Sequence, residues 1–319
     1  MALFLIRRIA HGILVLWLIS LAVFGLFFVA PSNVAQTLAG RQATPDTIAL
    51  IQHRLGLDLP IWKQYLHFVE NAVQGNLGFD YYHQVAVTSI IGQALPVTLS
   101  LALGAAVLWL LLGVFNGVIS AVHPRSLADR GLTLFSLFFY SFPSFLLGLL
   151  LLYFLYFQLT LAGYKWFPAG GYSGITQGLG AWVQHLVLPW VALALLLAAT
   201  YTRLTRGAML DVLGEDYIRT ARSKGIRERR VIVRHGLRSA LTPVVTQFGI
   251  DLGQLVGGVV VIETVFSLPG LGQTAIVAIN TQDLPVIIGI VLFASAAVVV
   301  MNILVDIAYA VLDPRVRLH

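Results

Sequence analysis

Six long apolar intervals that carry almost no charge constrain the fold of this chain more than any other feature. Each interval holds close to the roughly 20 apolar residues that a helix needs to cross the hydrocarbon core of a bilayer. They cover residues 13–30, 96–122, 132–157, 186–202, 241–262 and 284–305. Polar residues are too few to clothe a water-soluble globule, because 58% of the 319 residues are hydrophobic and only 11% are charged. The sequence therefore predicts an all-α polytopic membrane protein with six transmembrane helices.

The basic residues indicate the orientation, because Lys and Arg accumulate near the cytoplasmic ends of membrane spans. If the six spans alternate in direction, sixteen of the twenty basic residues share one side. The other side holds Arg41, Arg54, Lys63 and Lys165. This bias predicts that both termini and the loop over residues 203–240 are cytoplasmic. The net charge of +6 then reflects topology, and we expect no nucleic-acid partner, since stacking and groove-reading motifs are missing.

Residues 217–240 hold eight of the basic residues, between the fourth and fifth intervals. A seventh span here would cost on the order of 20 kcal/mol, at about 3 kcal/mol for each basic side chain near the bilayer centre. The pattern is instead that of a surface helix, because Tyr217, Ile218 and Ala221 share one face and Gly225 suits a helix C-terminus. We expect a short helix over residues 215–224 and a second helical segment over 227–240. The alternative is a plain cytoplasmic anchor that touches anionic lipid.

Four segments carry a family resemblance. The run EDYIRTARSKGI followed by RHGLRSALTPVVT resembles the cytoplasmic loop of ABC importer permeases, in the form used by dipeptide and oligopeptide transporters. In the general family form this loop reads Glu-Ala-Ala, three residues and Gly, then Ile-x-Leu-Pro. Here Arg219, Thr220, Ala221 and Gly225 occupy the first half, and the second half is altered. The segments LGLDLPIWKQYLHFVENAVQGNLG, ETVFSLPGLG and LVDIAYAVLDPRVR also resemble these permeases, in the expected order.

The resemblance implies the type I ABC importer permease fold, with a short cytoplasmic coupling helix, in a prokaryotic cell membrane. The implied partners are a second homologous permease subunit, two ATP-binding subunits and an extracytoplasmic substrate-binding protein. The sequence agrees on the energy source. None of the three lysines follows Gly and precedes Ser or Thr, as a phosphate-cradling P-loop requires. We therefore expect no ATPase activity and no cofactor in this chain.

The resemblance also assigns partner-coupling residues, which would dock in a cleft of the ATPase. Tyr217, Ile218 and Ala221 would form the contact face, and Arg219 and Arg222 would pair with acidic residues of the ATPase. The acids of the helix suit its positive N-terminal end, and its last basic residues suit the negative C-terminal end. The complete set is Glu215, Asp216, Tyr217, Ile218, Arg219, Thr220, Ala221, Arg222, Lys224 and Gly225.

The fifth interval holds the candidates for the substrate pathway. Asp251 is charged in the middle of this span, and an intramembrane carboxylate normally faces a cavity, a partner charge or a polar bundle interior. Gln247 and Gln254 extend one polar stripe along the same helical face. An amine-bearing peptide could pass such a stripe. A carboxylate bonded within the bundle for assembly is the alternative.

Glycine and proline residues indicate how the spans pack. Gly249, Gly253 and Gly257 recur every four residues and leave one face of the fifth span without side chains. This pattern favours close contact with a neighbouring helix over a ligand-facing groove. Pro143 and Pro189 are interpreted as kinks in the third and fourth spans.

Residues 31–93 are too long for a simple turn and carry two amphipathic helix signals. One runs from Thr44 to a Gly at 56, and the other opens at Pro60 and ends before Gly75. We expect these helices to cap the bundle and leave open a contact with the binding protein. By this interpretation residues 1–95 form the first span with its outer segment, and residues 96–319 form the five-helix importer core with the coupling loop at 203–240.

The sequence offers no catalytic or metal-binding spacing. Its eight histidines form no i, i+4 pair and no His-x-Glu cluster, so we expect no metal site. A stand-alone secondary transporter or channel and an intramembrane enzyme are the rival classes. They require several intramembrane ionisable groups or paired catalytic residues, whereas the spans hold essentially one such group. Peptides are the expected substrates, and nickel chelates, glutathione or another small solute are the alternatives within the family.

Overall fold

The computed structural model describes residues 2–29, 35, 44–54, 58–80 and 83–312. The predicted positions Arg41, Gly56, Arg315 and Arg317 lie outside these residues, and so does the side chain of Gln254. Helices and one short hairpin make up the regular structure of the described part. The chain is all-α in class, as predicted.

Eleven α-helices of eight or more residues run through the described part of the chain. They are α1 (Ala2–Phe24), α2 (Pro45–Arg54), α3 (Ile61–Val73), α4 (Val87–Val122), α5 (Leu127–Tyr140), α6 (Ser144–Leu151), α7 (Leu179–Leu213), α8 (Asp216–Ser223), α9 (Arg238–Val265), α10 (Leu271–Thr281) and α11 (Leu284–Leu312). Three π-helical segments, Gly25–Val29, Leu152–Gln158 and Val231–Leu237, lengthen α1 and α6 and precede α9. Strands β1 (Phe79–Asp80) and β2 (Val85–Ala86) pair antiparallel.

Five helices of the described residues are long and apolar enough to cross a membrane. They cover Ile6–Val29, Val87–Val122, Ser144–Leu161, Leu179–Leu213 and Leu284–Ile307. Each corresponds in order to a predicted interval. The remaining interval, 241–262, lies within α9, whose 28 residues extend about 42 Å at 1.5 Å per residue. That length suffices for a bilayer core, and a sixth span at α9 stays a prediction.

The third interval was predicted as one helix over residues 132–157, and this prediction is wrong. Helix α5 ends at Tyr140, and α6 begins at Ser144 with Pro143 as its N-cap residue. Proline lacks an N–H group and its ring disfavours helical geometry in the preceding residue, so Pro143 stops one helix and starts the next instead of kinking one. The span therefore begins twelve residues later than expected. Pro189, in contrast, lies inside the continuous helix α7.

The chain forms two compact units, Met1–Pro96 with Gly270–His319, and Val97–Pro269. In the first unit α1 packs along α11, where Arg8 Nη1 lies 3.0 Å from Asp306 Oδ2. Helix α3 packs on α1, with the hydroxyls of Ser20 and Tyr65 2.8 Å apart. The hairpin lies against α11. The sequence-based division at residues 95 and 96 into functional segments stays a prediction.

The second unit is built around α4, α7 and α9, whose buried side chains form its largest apolar core. Helices α4 and α7 approach closely through glycines. A Cβ atom on Gly117 would lie 2.5 Å from Thr205 Cβ and 2.8 Å from the carbonyl oxygen of Thr202, and Gly113 faces Tyr201 in the same way. Only a residue without a side chain permits such an approach. Helices α5 and α6 also pack against α7.

Candidate coupling and translocation sites

Helix α8 forms where the coupling helix was expected. It covers Asp216–Ser223, with Glu215 and Lys224 as its cap residues, against a predicted range of 215–224. Asp216 lies in its first turn and Arg222 in its last, which matches the helix dipole. Gly225 has a φ of +71°, the left-handed conformation that favours glycine after a helix. These local features agree with the predicted helix.

The apolar face of α8 packs against other residues of the same chain. Ile218 is fully buried and Ala221 is 7% exposed. Both pack with the buried Val231 and with Val212, Leu213 and Ile226, which come from the end of α7 and from the segment after α8. The role of Ile218 and Ala221 as contact face for a partner stays a prediction, and in this structure residues of the same chain cover both side chains. Their burial stabilises the attachment of α8 to α7 and to the segment that leads into α9.

The rest of the α8 surface is exposed. Tyr217 is 45% exposed, and Arg219 and Thr220 are exposed as well. Arg219 Nη1 lies 3.6 Å from Asp216 Oδ1, a loose contact between two exposed groups that contributes little. An exposed aromatic ring and an exposed cation on an otherwise anchored helix are suited to a protein contact.

Arg222 pairs within its own chain, and its pairing with an acidic residue of the ATPase stays a prediction. Its Nη2 donates to Glu228 Oε1 at 2.7 Å, and its Nε donates to Glu228 Oε2 at 3.1 Å. Hydrogen bonding from the guanidinium lowers the pKa of Glu228, and the carboxylate raises the pKa of Arg222. The pair links the last turn of α8 to the segment beyond Gly225. Lys224 remains exposed.

The pathway candidates Gln247 and Asp251 lie together, and the structure adds Tyr201 from α7. The Gln247 side-chain amide donates to Asp251 Oδ1 at 2.9 Å, and the Tyr201 hydroxyl donates to Asp251 Oδ2 at 2.7 Å. Asp251 and Gln247 are half-buried. The carboxylate thus bridges α9 and α7, in a residue that is only partly buried. Both the pathway and the assembly interpretation are compatible with this geometry.

Two buried carboxylates were missed as sites by the sequence reasoning. Glu263, within the segment ETVFSLPGLG, is fully buried and accepts a hydrogen bond from the Thr98 hydroxyl at 2.6 Å. Asp129 in the first turn of α5 is 5% exposed and accepts two hydrogen bonds from Arg206 of α7. These bonds, and those from Ser120 and the Arg125 amide, hold the pKa of Asp129 well below its usual range. Thr98 lies 165 residues from Glu263, and Arg206 lies 77 residues from Asp129, so no local spacing reveals these two pairs.

One cluster has ligand atoms suited to a divalent cation. Asp80, His83 and Asp283 each offer one such atom, and these atoms lie within 4.8 Å of one another. His83 Nδ1 is 2.6 Å from Asp80 Oδ2, and its backbone N–H donates to Asp80 Oδ1 at 2.9 Å. Burial, followed by the neighbouring Asp80 carboxylate, raises the pKa of Asp283. The contacts between His83 and Asp80 account for their close approach without a metal.

Comparison with known proteins decides the family. Residues 113–318 match the family described as "Binding-protein-dependent transport system inner membrane component". Residues 1–102 match "Binding-prot-dependent transport system membrane comp, N-term". This chain belongs to that family. It is a multi-pass inner-membrane permease of a binding-protein-dependent ABC importer, and it is not the catalytic component. The ABC importer system also includes an ATPase and a binding protein.

Curated relatives match over nearly the whole chain. A probable peptide ABC transporter permease of Sinorhizobium fredii is 37% identical over 317 residues, which cover 99% of this chain and 100% of the relative. A glutathione transport system permease of Escherichia coli K12 is 36% identical, and a putative peptide transport system permease of Brucella abortus is 39% identical. Both of these cover 98% of either chain. The prediction of an importer permease is confirmed, in preference to the rival hypotheses of a stand-alone transporter and an intramembrane enzyme.

Proposed function

We propose that this permease imports dipeptides and oligopeptides, delivered by an extracytoplasmic binding protein, by alternating access. The relatives named as peptide permeases support this substrate class, and they align over almost all of both chains. The relative named for glutathione extends the class to a small peptide-like solute. Two ATPase subunits and a second homologous permease complete the proposed complex.

The proposed topology has six spans with both termini in the cytoplasm. The length of α9 and the concentration of basic residues between α7 and α9 support it. In this arrangement α8 lies at the cytoplasmic surface. The hairpin, α2 and α3 lie outside the membrane, where the binding protein would approach.

The placement of α8 is the observation that carries the coupling mechanism. Ile218 and Ala221 anchor the helix against the end of α7 and the start of the next segment, and Arg222 ties its last turn to Glu228. Tyr217, Arg219 and Thr220 are left to contact the ATPase. A helix anchored on one face and docked on the other passes displacement from the ATPase into α7 and α9. The two spans then change between inward-facing and outward-facing states as the ATPases close on ATP.

The proposed coupling set keeps the remaining sequence candidates. Glu215 and Asp216 define the start of α8, and Lys224 with Gly225 defines its end. For the pathway we propose the polar stripe of Gln247, Asp251 and Gln254. Support comes from Asp251, a residue that is only partly buried and whose carboxylate accepts hydrogen bonds from Gln247 and Tyr201.

Variants on the two faces of α8 test the coupling proposal. The outer face holds the exposed Tyr217, Arg219 and Thr220, and the inner face holds the buried Ile218 and Ala221. On the outer face, Tyr217→Ala and Arg219→Glu should weaken retention of the ATPase subunits on the purified permease on the order of tenfold, as for interface hot spots. The melting temperature of the permease itself should not change. On the inner face, Ile218→Ala should lower that melting temperature, because it removes a fully buried side chain at about 2–5 kcal/mol. Lys165→Glu is the charge control on the other side of the membrane.

Uptake into proteoliposomes with the cognate binding protein then tests the substrate. Trialanine and glutathione are supplied separately, and the native complex should accumulate trialanine. If only glutathione accumulated, glutathione would replace dipeptides and oligopeptides as the proposed substrate. If both outer-face variants retain the ATPase and transport normally, α8 does not couple the subunits.

A further inference from the structure

The ion pair between Asp129 and Arg206 belongs to a cluster that joins three helices of one compact unit. Arg206 Nε donates to Asp129 Oδ1 at 2.8 Å, and its Nη2 donates to Asp129 Oδ2 at 2.9 Å. The same Nε lies 3.0 Å from the Ser120 hydroxyl oxygen, and that hydroxyl donates to Asp129 Oδ1. Ser120 is near the end of α4, Asp129 in the first turn of α5, and Arg206 on α7. Three helices therefore meet at one carboxylate.

The backbone between α4 and α5 is shaped around this carboxylate. Arg125 has a φ of +63°, which is unfavourable for a residue with a side chain, and its N–H donates to Asp129 Oδ2 at 2.8 Å. The Ser126 side chain caps α5 by accepting from the Asp129 N–H. The turn thus holds Asp129 in one orientation, and its oxygens accept four hydrogen bonds.

Arg206 lies two helical turns before the end of α7, and Gly214 and Glu215 alone separate α7 from α8. Displacement of α8 therefore reaches Arg206 along a continuous helix. A second arginine one turn earlier, Arg203, lies over the ring of Tyr140 at 4.6 Å, at the far end of α5. The two ends of α5 are both held by one turn of α7.

A bidentate ion pair transmits motion differently from the apolar contacts around it. Apolar side chains slide past one another with little change in energy, whereas two parallel hydrogen bonds at 2.8 and 2.9 Å break when either partner shifts by about 1 Å. Asp129 is almost fully buried, so a broken pair leaves a charge without compensation. The pair is therefore either aligned or lost.

From this geometry we infer that Asp129 and Arg206 are positioning residues for transport. They make the end of α4 and the whole of α5 move with α7 when the ATPase displaces α8. This role rests on the proposed coupling function of α8. It adds to that function the route by which motion spreads from α7 to helices that α8 does not touch.

Distance measurements between spin labels test the link, and the chain suits them because it has no cysteine. Single cysteines replace the exposed Leu134 on α5 and the exposed Asp211 on α7. The assembled complex is measured without nucleotide and after trapping with ATP and vanadate. In the native background the label distance should stay the same in both states. In Arg206→Lys, which keeps the charge but has a single donor centre, trapping should change or broaden it.

Coupling gives a second measurement that a merely structural role would not change. In proteoliposomes supplied with trialanine, Arg206→Lys and Asp129→Asn should raise the ATP hydrolysed per peptide taken up by about tenfold, within the range for coupling residues. The ATPase subunits should still co-purify. Asp306→Asn breaks another ion pair, at 3.0 Å from Arg8, and should leave the ratio at the native value.

The possible outcomes separate this inference from the proposed function. A native label distance that changes on trapping, or an unchanged distance in Arg206→Lys, overturns the link while coupling through α8 stands. A native permease that retains no ATPase overturns the proposed function and the link together. If Arg206→Lys and Asp129→Asn lose uptake and ATPase subunits in parallel, the pair only stabilises the fold.

Discussion

Replacement of Gly117 by alanine tests the close approach of α4 and α7. The added Cβ would lie 2.5 Å from Thr205 Cβ and 2.8 Å from the Thr202 carbonyl oxygen, whereas ordinary contacts are 3.4–4 Å. Both neighbouring atoms are on or next to the backbone, so relief requires that the helices separate by about 1 Å. Overpacking of this kind costs about 1–3 kcal/mol. Alanine returns about 1 kcal/mol through its higher helix propensity, so we expect net destabilisation of up to about 2 kcal/mol.

Gly92 on the same helix is the matched control. A Cβ atom there meets nothing within 4 Å, so Gly92→Ala keeps the propensity gain without the clash. Since the propensity gain is the same in both, the two variants should differ by the overpacking cost of about 1–3 kcal/mol, or roughly 2–5 °C in melting temperature for a chain of this size. The assay is thermal unfolding of the detergent-purified permease. Equal melting temperatures for Gly117→Ala and Gly92→Ala would show that the two helices are not in close contact at Gly117.

Three further predictions concern polar and charged side chains. Asp251→Asn should reduce trialanine uptake at low peptide concentration about tenfold if the carboxylate lines the pathway, an effect that many coupling and binding contacts reach; Tyr201→Phe, which removes one hydrogen bond at about 1 kcal/mol, should mainly lower thermal stability. Normal uptake by Asp251→Asn would exclude the carboxylate from the substrate pathway and favour a role in assembly of the helix bundle. The folded-state pKa of Asp129 lies below its ordinary value, so its contribution to stability is complete above about pH 4 and falls as the pH drops further through the folded pKa. The difference in melting temperature between native permease and Asp129→Asn should therefore be constant from pH 7 to about pH 5 and shrink below about pH 4; a loss of the difference between pH 7 and 5 would contradict the ion pair.

The sequence was sufficient where the signal is local. Long apolar intervals predicted the membrane helices, and α8 begins and ends within one residue of the expected range because its caps, charges and Gly225 are local determinants. Pro60 and Gly75 likewise bounded α3. The third interval failed because an apolar run has the same hydropathy whether Pro143 kinks a helix or separates two.

The tertiary structure decided which surfaces meet. The sequence identified the apolar face of α8, but either a partner or the permease itself can cover such a face. Only the fold shows that Ile218 is buried against residues of its own chain. The glycine pattern noticed in the fifth span was local, whereas Gly117 became important through Thr205, 88 positions away. Asp129 with Arg206 and Tyr201 with Asp251 are pairs of the same kind. Their energy depends on distance in space, and for residues this far apart along the chain only the packed helices determine that distance.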